Sequence, residues 1–341
     1  MSAQPTRSSL QSVVIVALLV WVFWLIGMVT GSRWGLFEDN WFMSVTMVLG
    51  SFIAGATSEG GGAVAFPVMT LLFEIPPPVA RDFSLMIQAV GMTAAATTIF
   101  WMAVPVERNA LVWSTLGGAL GIALGLTYVA PHMQPAFAKM TFLAVWLAFA
   151  FALFWINRHR DREVRPRIER FGSRHAVMLF GTGIAGGVIS AITGSGLDIV
   201  TFSLLTLRFR VDEKVATPTS VALMAANAVV GFAFKAGVLG GMEPRAWNFW
   251  WVCVPIVVVG APFGARFIKN RSRHFVAGIL YVSILIQFVA GLVIIPQQPK
   301  LVAYWVTVLI VSLLFFRWMS QGGIKRLAWL GQEGEGETAK A

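Results

Sequence analysis

The sequence predicts an all-α polytopic membrane protein made of two inverted-topology repeats. Each repeat is a broken, re-entrant helix pair followed by three spanning helices, and one extra helix stands at each end. Three observations predict this: a composition that cannot face water, apolar stretches of spanning length, and an internal repeat at constant offset. Of 341 residues, 57% are hydrophobic and 12% charged, with a mean hydropathy of +0.74. A soluble domain carries about 25% charged residues. Lipid is the solvent that requires an apolar exterior, so a soluble enzyme is excluded first.

A spanning helix needs about 20 mostly apolar residues. Stretches without Asp, Glu, Lys or Arg supply eight full spans, near 12–30, 83–104, 110–130, 137–156, 215–238, 246–266, 275–295 and 300–318. Four further stretches form two pairs, 40–58 with 60–73 and 175–197 with 199–207. In each pair a Gly-rich break precedes a segment too short to cross alone. The first span follows Arg7 as a signal peptide would. Its apolar run is too long for a signal core, and Trp21, Phe23 and Trp24 are poor cleavage context, so it is expected to be retained.

The net charge of +10 would suggest nucleic acid in a soluble protein; here the positions of the charges decide otherwise. Loop 157–174 carries seven arginines, and threading outward from it puts 20 basic residues inside. Outside are Arg33, Arg81, Lys139, Arg245 and Lys300. Such asymmetry fixes orientation and predicts both termini in the cytoplasm, with basic loops held against anionic lipid. The expected organisation is an N-tail 1–11, a first helix 12–30, repeat 1 at 40–156, and the basic loop 157–174. Repeat 2 follows at 175–295, a last helix at 300–318, and a tail 319–341 whose end, from 331, is expected to be disordered.

Residues 50–95 match 186–231 at an offset of 136 without a gap, with 13 identical pairs that include Thr57/Thr193, Gly60/Gly196, Phe66/Phe202 and Ser84/Ser220. The threading starts the first copy outside and the second inside. Interrupted segments at matching positions of two inverted halves point to a transporter's binding site. The breaks are Thr57-Ser58-Glu59-Gly60-Gly61-Gly62 and Thr193-Gly194-Ser195-Gly196. Glycine ends helices and lets backbone approach a ligand; a restarted helix presents unpaired N–H groups and partial positive charge. Hydroxyls add donors that reorient. The candidate binding residues for a small anion are therefore Thr57, Ser58, Gly60, Gly61, Thr193, Gly194, Ser195 and Gly196, with the restarted half-helices at 61–73 and 197–207. Gln88 and Asn227, uncharged amides in lipid, are expected to face the interior, lining the pathway or bonding between helices.

Glu59 and Asp198, one per break, have three open roles. Each could cap a half-helix, handle protons as a neutralised carboxyl, or ligate a cation in a metal transporter. Lys235 is expected to snorkel to the interface. Gly117/Gly121/Gly125, Gly183/Gly187 and Gly260/Gly264 read as small-residue packing faces. His132, His159, His175 and His274 lie at span ends or in loops without metal spacing. Cys253 is single, so neither a disulfide nor a multi-cysteine metal site is expected. Gly181-x-Gly183-x-x-Gly186 lacks the preceding strand of a dinucleotide fingerprint, and there is no nucleotide-binding loop. No catalytic constellation, metal or cofactor is expected; a membrane enzyme or assembly factor is the alternative from another class.

The Gly-rich break with its Pro-containing short helix, Gly60 to Pro67, followed by Ala80-x-x-x-Ser84, resembles the sulfite exporter TauE/SafE family, also called the toluene-sulfonate uptake permeases. The second copy, Gly194 to Leu205 then Ala216 to Ser220, is less similar: Ser195 interrupts the glycines, Asp198 replaces a small residue, and Ser203 stands at the place of Pro67. The resemblance covers about residues 40–318. It implies a carrier of sulfite or an organosulfonate in a bacterial cytoplasmic (inner) membrane, its partners being that anion and lipid.

Overall fold

The computed structural model describes residues 9–57, 60, 62–158, 163–268 and 273–338, and among them the chain forms twelve α-helices. In order these are α1 (Ser9–Thr30), α2 (Leu36–Ala56), α3 (Gly62–Pro67), α4 (Pro77–Trp101), α5 (Arg108–Leu124), α6 (Pro135–Asn157), α7 (Ser173–Thr193), α8 (Leu197–Ser203), α9 (Glu213–Gly237), α10 (Pro244–Ile268), α11 (Arg273–Ile294) and α12 (Pro299–Thr338). Among the described residues eight helices are long and apolar enough to cross a membrane, so the protein is an all-α, multi-pass membrane protein. Glu59 and its neighbours Ser58 and Gly61 lie outside the described residues, as does His159.

Several boundaries differ from expectation, each for a physical reason. α4 starts at Pro77, not near 83, because Pro77 and Pro78 preset its first turn and because Arg81 and Asp82 pair within it. α2 likewise begins at Leu36, with Glu38 and Asp39 in its first turn, where the helix dipole favours acids. α7 stops at Thr193, short of the apolar stretch that runs to 197, because Gly194 and Gly196 take φ of 82° and 151°. α12 runs from Pro299 to Thr338. Extending an existing helix adds a hydrogen bond per residue without a new nucleation cost.

The duplication recurs in the backbone at the same offset of 136. α3 widens into a π-helical turn at Val68–Leu72, and α8 does so at Leu204–Arg208. The turns close with matching bonds: Ile75 N–H to Met69 O, and Val211 N–H to Leu205 O, both 2.9 Å. Glu74 and Arg210, one residue beyond Phe73 and Phe209, share left-handed φ of 50° and 56°. α4 and α9 are both 25 residues long and start and stop at matching positions.

Packing follows the small residues. α5 lies along α7 and α2 along α10. A Cβ added at Gly121 would overlap the Ile184 carbonyl, and one at Gly187 the Gly118 carbonyl; at the other contact, Gly55 meets the Ala261 carbonyl and Gly264 that of Phe52. Backbones this close are how helices associate where lipid removes any hydrophobic drive between them. We expect Gly121→Leu to separate α5 from α7 and lower the thermal midpoint of purified protein by several degrees, about 2 kcal/mol of overpacking. An unchanged midpoint would show that the contact tolerates widening.

α1 is fastened to α10 by a defect in the latter. Pro255 lacks the N–H that would bond Trp251 O, and Trp24 Nε1 donates to that carbonyl instead, at 2.7 Å. α6 runs beside both short helices: Phe142 packs on Phe66 of α3 (ring centroids 5.3 Å), and Phe149 packs on Phe202 of α8 (6.0 Å). Phe142 and Phe149 are seven residues apart and so share one helix face.

α4 and α9 lie side by side and antiparallel. Asp82, in the first turns of α4, receives Lys235 from the last turn of α9 and the Glu243 N–H at 2.9 Å. At the opposite end Glu107 N–H, just past α4, donates to Thr219 of early α9 at 2.9 Å.

Candidate functional site

The two breaks meet beside the middle of α4. Gln88 is the twelfth residue of that 25-residue helix. Its Nε2 donates to Ser84 O of its own helix at 2.9 Å and to Gly194 O of the second break at 2.8 Å. The first break arrives from the other side. A Cβ on Gly60, whose φ is 71°, would lie 2.6 Å from Asp198 Oδ2, 2.7 Å from Gln88 Oε1 and 3.0 Å from Ser195 Oγ. On Gly62 it would lie 2.8 Å from Gln88 Nε2 and 3.2 Å from Ser84 Cβ. Only residues without side chains allow this approach. The structure thus brings together Gly60, Gln88, Gly194, Ser195 and Asp198 from the expected set. It adds Ser84 and Gly62, which the sequence offered only as a repeated motif residue and part of a break.

Donors expected at the second break are largely committed. Asp198, 1% exposed, accepts the Gly196 N–H at 3.0 Å and faces Ser195 Oγ at 3.3 Å; the Leu197 N–H goes to Ser190 Oγ at 3.1 Å. Asp198 Oδ1 thus takes the N–H of the residue just before α8. The threonines turn to their own backbones: Thr57 Oγ1 to Ile53 O at 2.9 Å, and Thr193 Oγ1 to Ile189 O at 3.1 Å and Ser195 O at 2.7 Å. The bonds to Ile53 O and Ile189 O are back-bonding to the carbonyl four residues earlier.

Two further polar atoms at the junction, Ser84 Oγ and Gln88 Oε1, are buried without a partner, as are Asn227 Oδ1 and Nδ2 on α9 beside Gly118. Asn227 is 1% exposed. It reaches from α9 toward Gly118 of α5, where it meets the side chain of Leu197, the first residue of α8. A buried polar atom left unpaired costs about 1–3 kcal/mol, so a group that can hydrogen-bond to them has a standing advantage over empty space.

Two charged clusters brace the ends of the α4/α9 pair, and the sequence did not reveal either. Asp82, fully buried, joins Arg81 Nη2 at 2.8 Å, Lys235 and the Glu243 N–H. Lys235 thus pairs inward instead of snorkelling as expected. Glu107, 4% exposed, accepts the Asn109 N–H at 3.2 Å and the Ile168 N–H at 2.8 Å, which ties the basic loop to the start of α5. The usable signal was the offset again, since Glu107 and Glu243 correspond and each precedes a helix. Within the loop, Arg165 pairs with Glu163 and with Glu169. Among the described residues no group of three or more His, Cys, Asp or Glu is placed to hold a metal.

A family model described as Sulfite exporter TauE/SafE matches residues 42–291. No curated protein and no solved structure matches. The match covers both breaks, the pair α4/α9 and every residue of the junction, well over half of the 341 residues; the chain belongs to the sulfite exporter TauE/SafE family of membrane transporters.

Proposed function

We propose that this protein is a secondary transporter of a small anion, sulfite or an organosulfonate, and that it works by alternating access between two inverted halves. One observation carries the proposal: two breaks, one from each copy, converge at mid-helix on buried side chains that have no partner. Ser84 Oγ and Asn227 Nδ2 are the unpaired donors. They are the groups that would bond an oxyanion, with Gln88 and the break glycines as the wall beside it. The antiparallel packing of α4 against α9, helices that correspond in the repeat, supports inversion of the halves. The basic-residue asymmetry supports both termini on the cytoplasmic side, and the family supports a bacterial cytoplasmic membrane; cysteine labelling from either side at positions 7 and 335 tests that placement.

Counterflow in liposomes that contain only the purified protein tests the function. We expect sulfite or a sulfonate to drive exchange of labelled sulfite, and neither ATP nor another subunit to be required. Asn227→Leu and Ser84→Ala each remove a hydrogen bond to a charged ligand, worth about 1.5–3 kcal/mol, and so should weaken half-saturation about 10- to 100-fold without preventing insertion. Absence of any anion exchange by the folded wild-type protein would refute a carrier.

A further inference from the structure

The junction also carries a set of oxygens suited to a guest of the opposite charge. Gln88 fixes the polarity. Its amide NH2 is held by two carbonyls, Ser84 O and Gly194 O, and a carboxamide so held has one favourable orientation, because its oxygen would face two acceptors if turned over. Oε1 must then point toward Gly60, where it has no partner. Asp198 Oδ2 and Ser195 Oγ close on the same side of Gly60, and these two oxygens are 3.3 Å apart. Three oxygens from two distant places in the chain, one of them a carboxylate, surround a residue that contributes no side chain. Arg81 and Lys235, cations on the neighbouring helices, are both committed to Asp82.

We propose that this junction binds a hard monovalent cation of sodium's size through Asp198 Oδ2, Gln88 Oε1 and Ser195 Oγ, beside the transported anion and not in its place. Hard cations take oxygen ligands; calcium gathers about six to eight of them, and magnesium keeps several waters in a near-octahedral shell. The described part of this set supplies one carboxylate, which one positive charge balances. A thiophilic metal would want sulfur or imidazole, and neither is present in the set. A proton would join two of the three oxygens and leave the third unpaired, whereas a metal ion engages all of them. Ser195 can give its hydrogen to Asp198 and still offer lone pairs to the ion. The role of the ion rests on the transport proposal: positive charge there offsets the repulsion between Asp198 and an anion held by Ser84 and Asn227. Its binding does not rest on it, and can be measured with no sulfur anion present.

The test is the thermal unfolding of the purified full-length protein in detergent, at fixed pH and constant chloride, as choline is replaced by sodium. We expect a saturable rise in the midpoint with sodium and none with choline. Asp198→Asn and Gln88→Leu should each raise the half-saturating sodium concentration at least tenfold. Identical unfolding in sodium and choline would overturn the site, and that comparison needs no variant. So would a midpoint that follows pH but not sodium, or a sodium effect of full strength in Asp198→Asn. Sodium stabilisation in a protein that exchanges no anion would uphold the site while refuting the carrier. Anion exchange by a protein indifferent to sodium would do the reverse.

Discussion

Gly60→Ala is expected to abolish anion exchange while the protein still inserts and purifies as a single species. Two costs add at this position. A side chain at φ 71° places Cβ against the following carbonyl, about 1–2 kcal/mol for a left-handed residue. The same Cβ would stand 2.6 Å from Asp198 Oδ2 and 2.7 Å from Gln88 Oε1, so the first break must back away from the second. Loss of the junction should cut counterflow more than about tenfold, the equivalent of 1.4 kcal/mol. Gly181→Ala is the matched control, since a Cβ there meets no atom and alanine suits a helix better. Equal loss in both variants would mean that the effect is not specific to the junction; full activity in Gly60→Ala would remove the junction from the mechanism.

The second large effect is expected at Asp82, through stability. Its carboxylate is fully buried and answers two cations, Arg81 and Lys235, as well as the Glu243 N–H. Removing one partner of a buried ionic group leaves uncompensated charge, about 3–5 kcal/mol. Asp82→Ala should therefore lower the thermal midpoint by many degrees. Lys235→Met added to Asp82→Asn should recover part of the loss, because replacing both members of such a pair with neutral groups costs far less than breaking it. A double variant no better than the single would show that the two side chains contribute independently.

Much of this fold was legible because lipid is a strict solvent. Apolar length located the spans, basic residues suggested their order, and an ungapped offset of 136 exposed the duplication before any coordinates. The breaks were legible too, since Gly60, Gly194 and Gly196 stand in apolar runs where glycine has little other use. Pairing between distant residues was not legible. Asp82 and Lys235 are 153 positions apart; the first lies just outside its expected span and the second inside its own, so nothing in the pattern pairs them. Gln88 was marked as a pathway residue, yet its bond to Gly194 joins positions 106 apart, and no local pattern encodes that. The threonines could have been foreseen: Thr57 and Thr193 each lie four residues after a helical carbonyl able to take their hydroxyl proton.

The placement of α6 bears on how such a molecule can move. Phe142 and Phe149 project from one flank of a single rod and grip one ring from each dipping segment, Phe66 and Phe202. Both segments are thereby harnessed to a common yoke although they come from different halves of the chain. A rocking cycle that leaves this yoke still must slide one aromatic ring past another at every turnover; a cycle that keeps both grips must carry the two tips together, as one cradle.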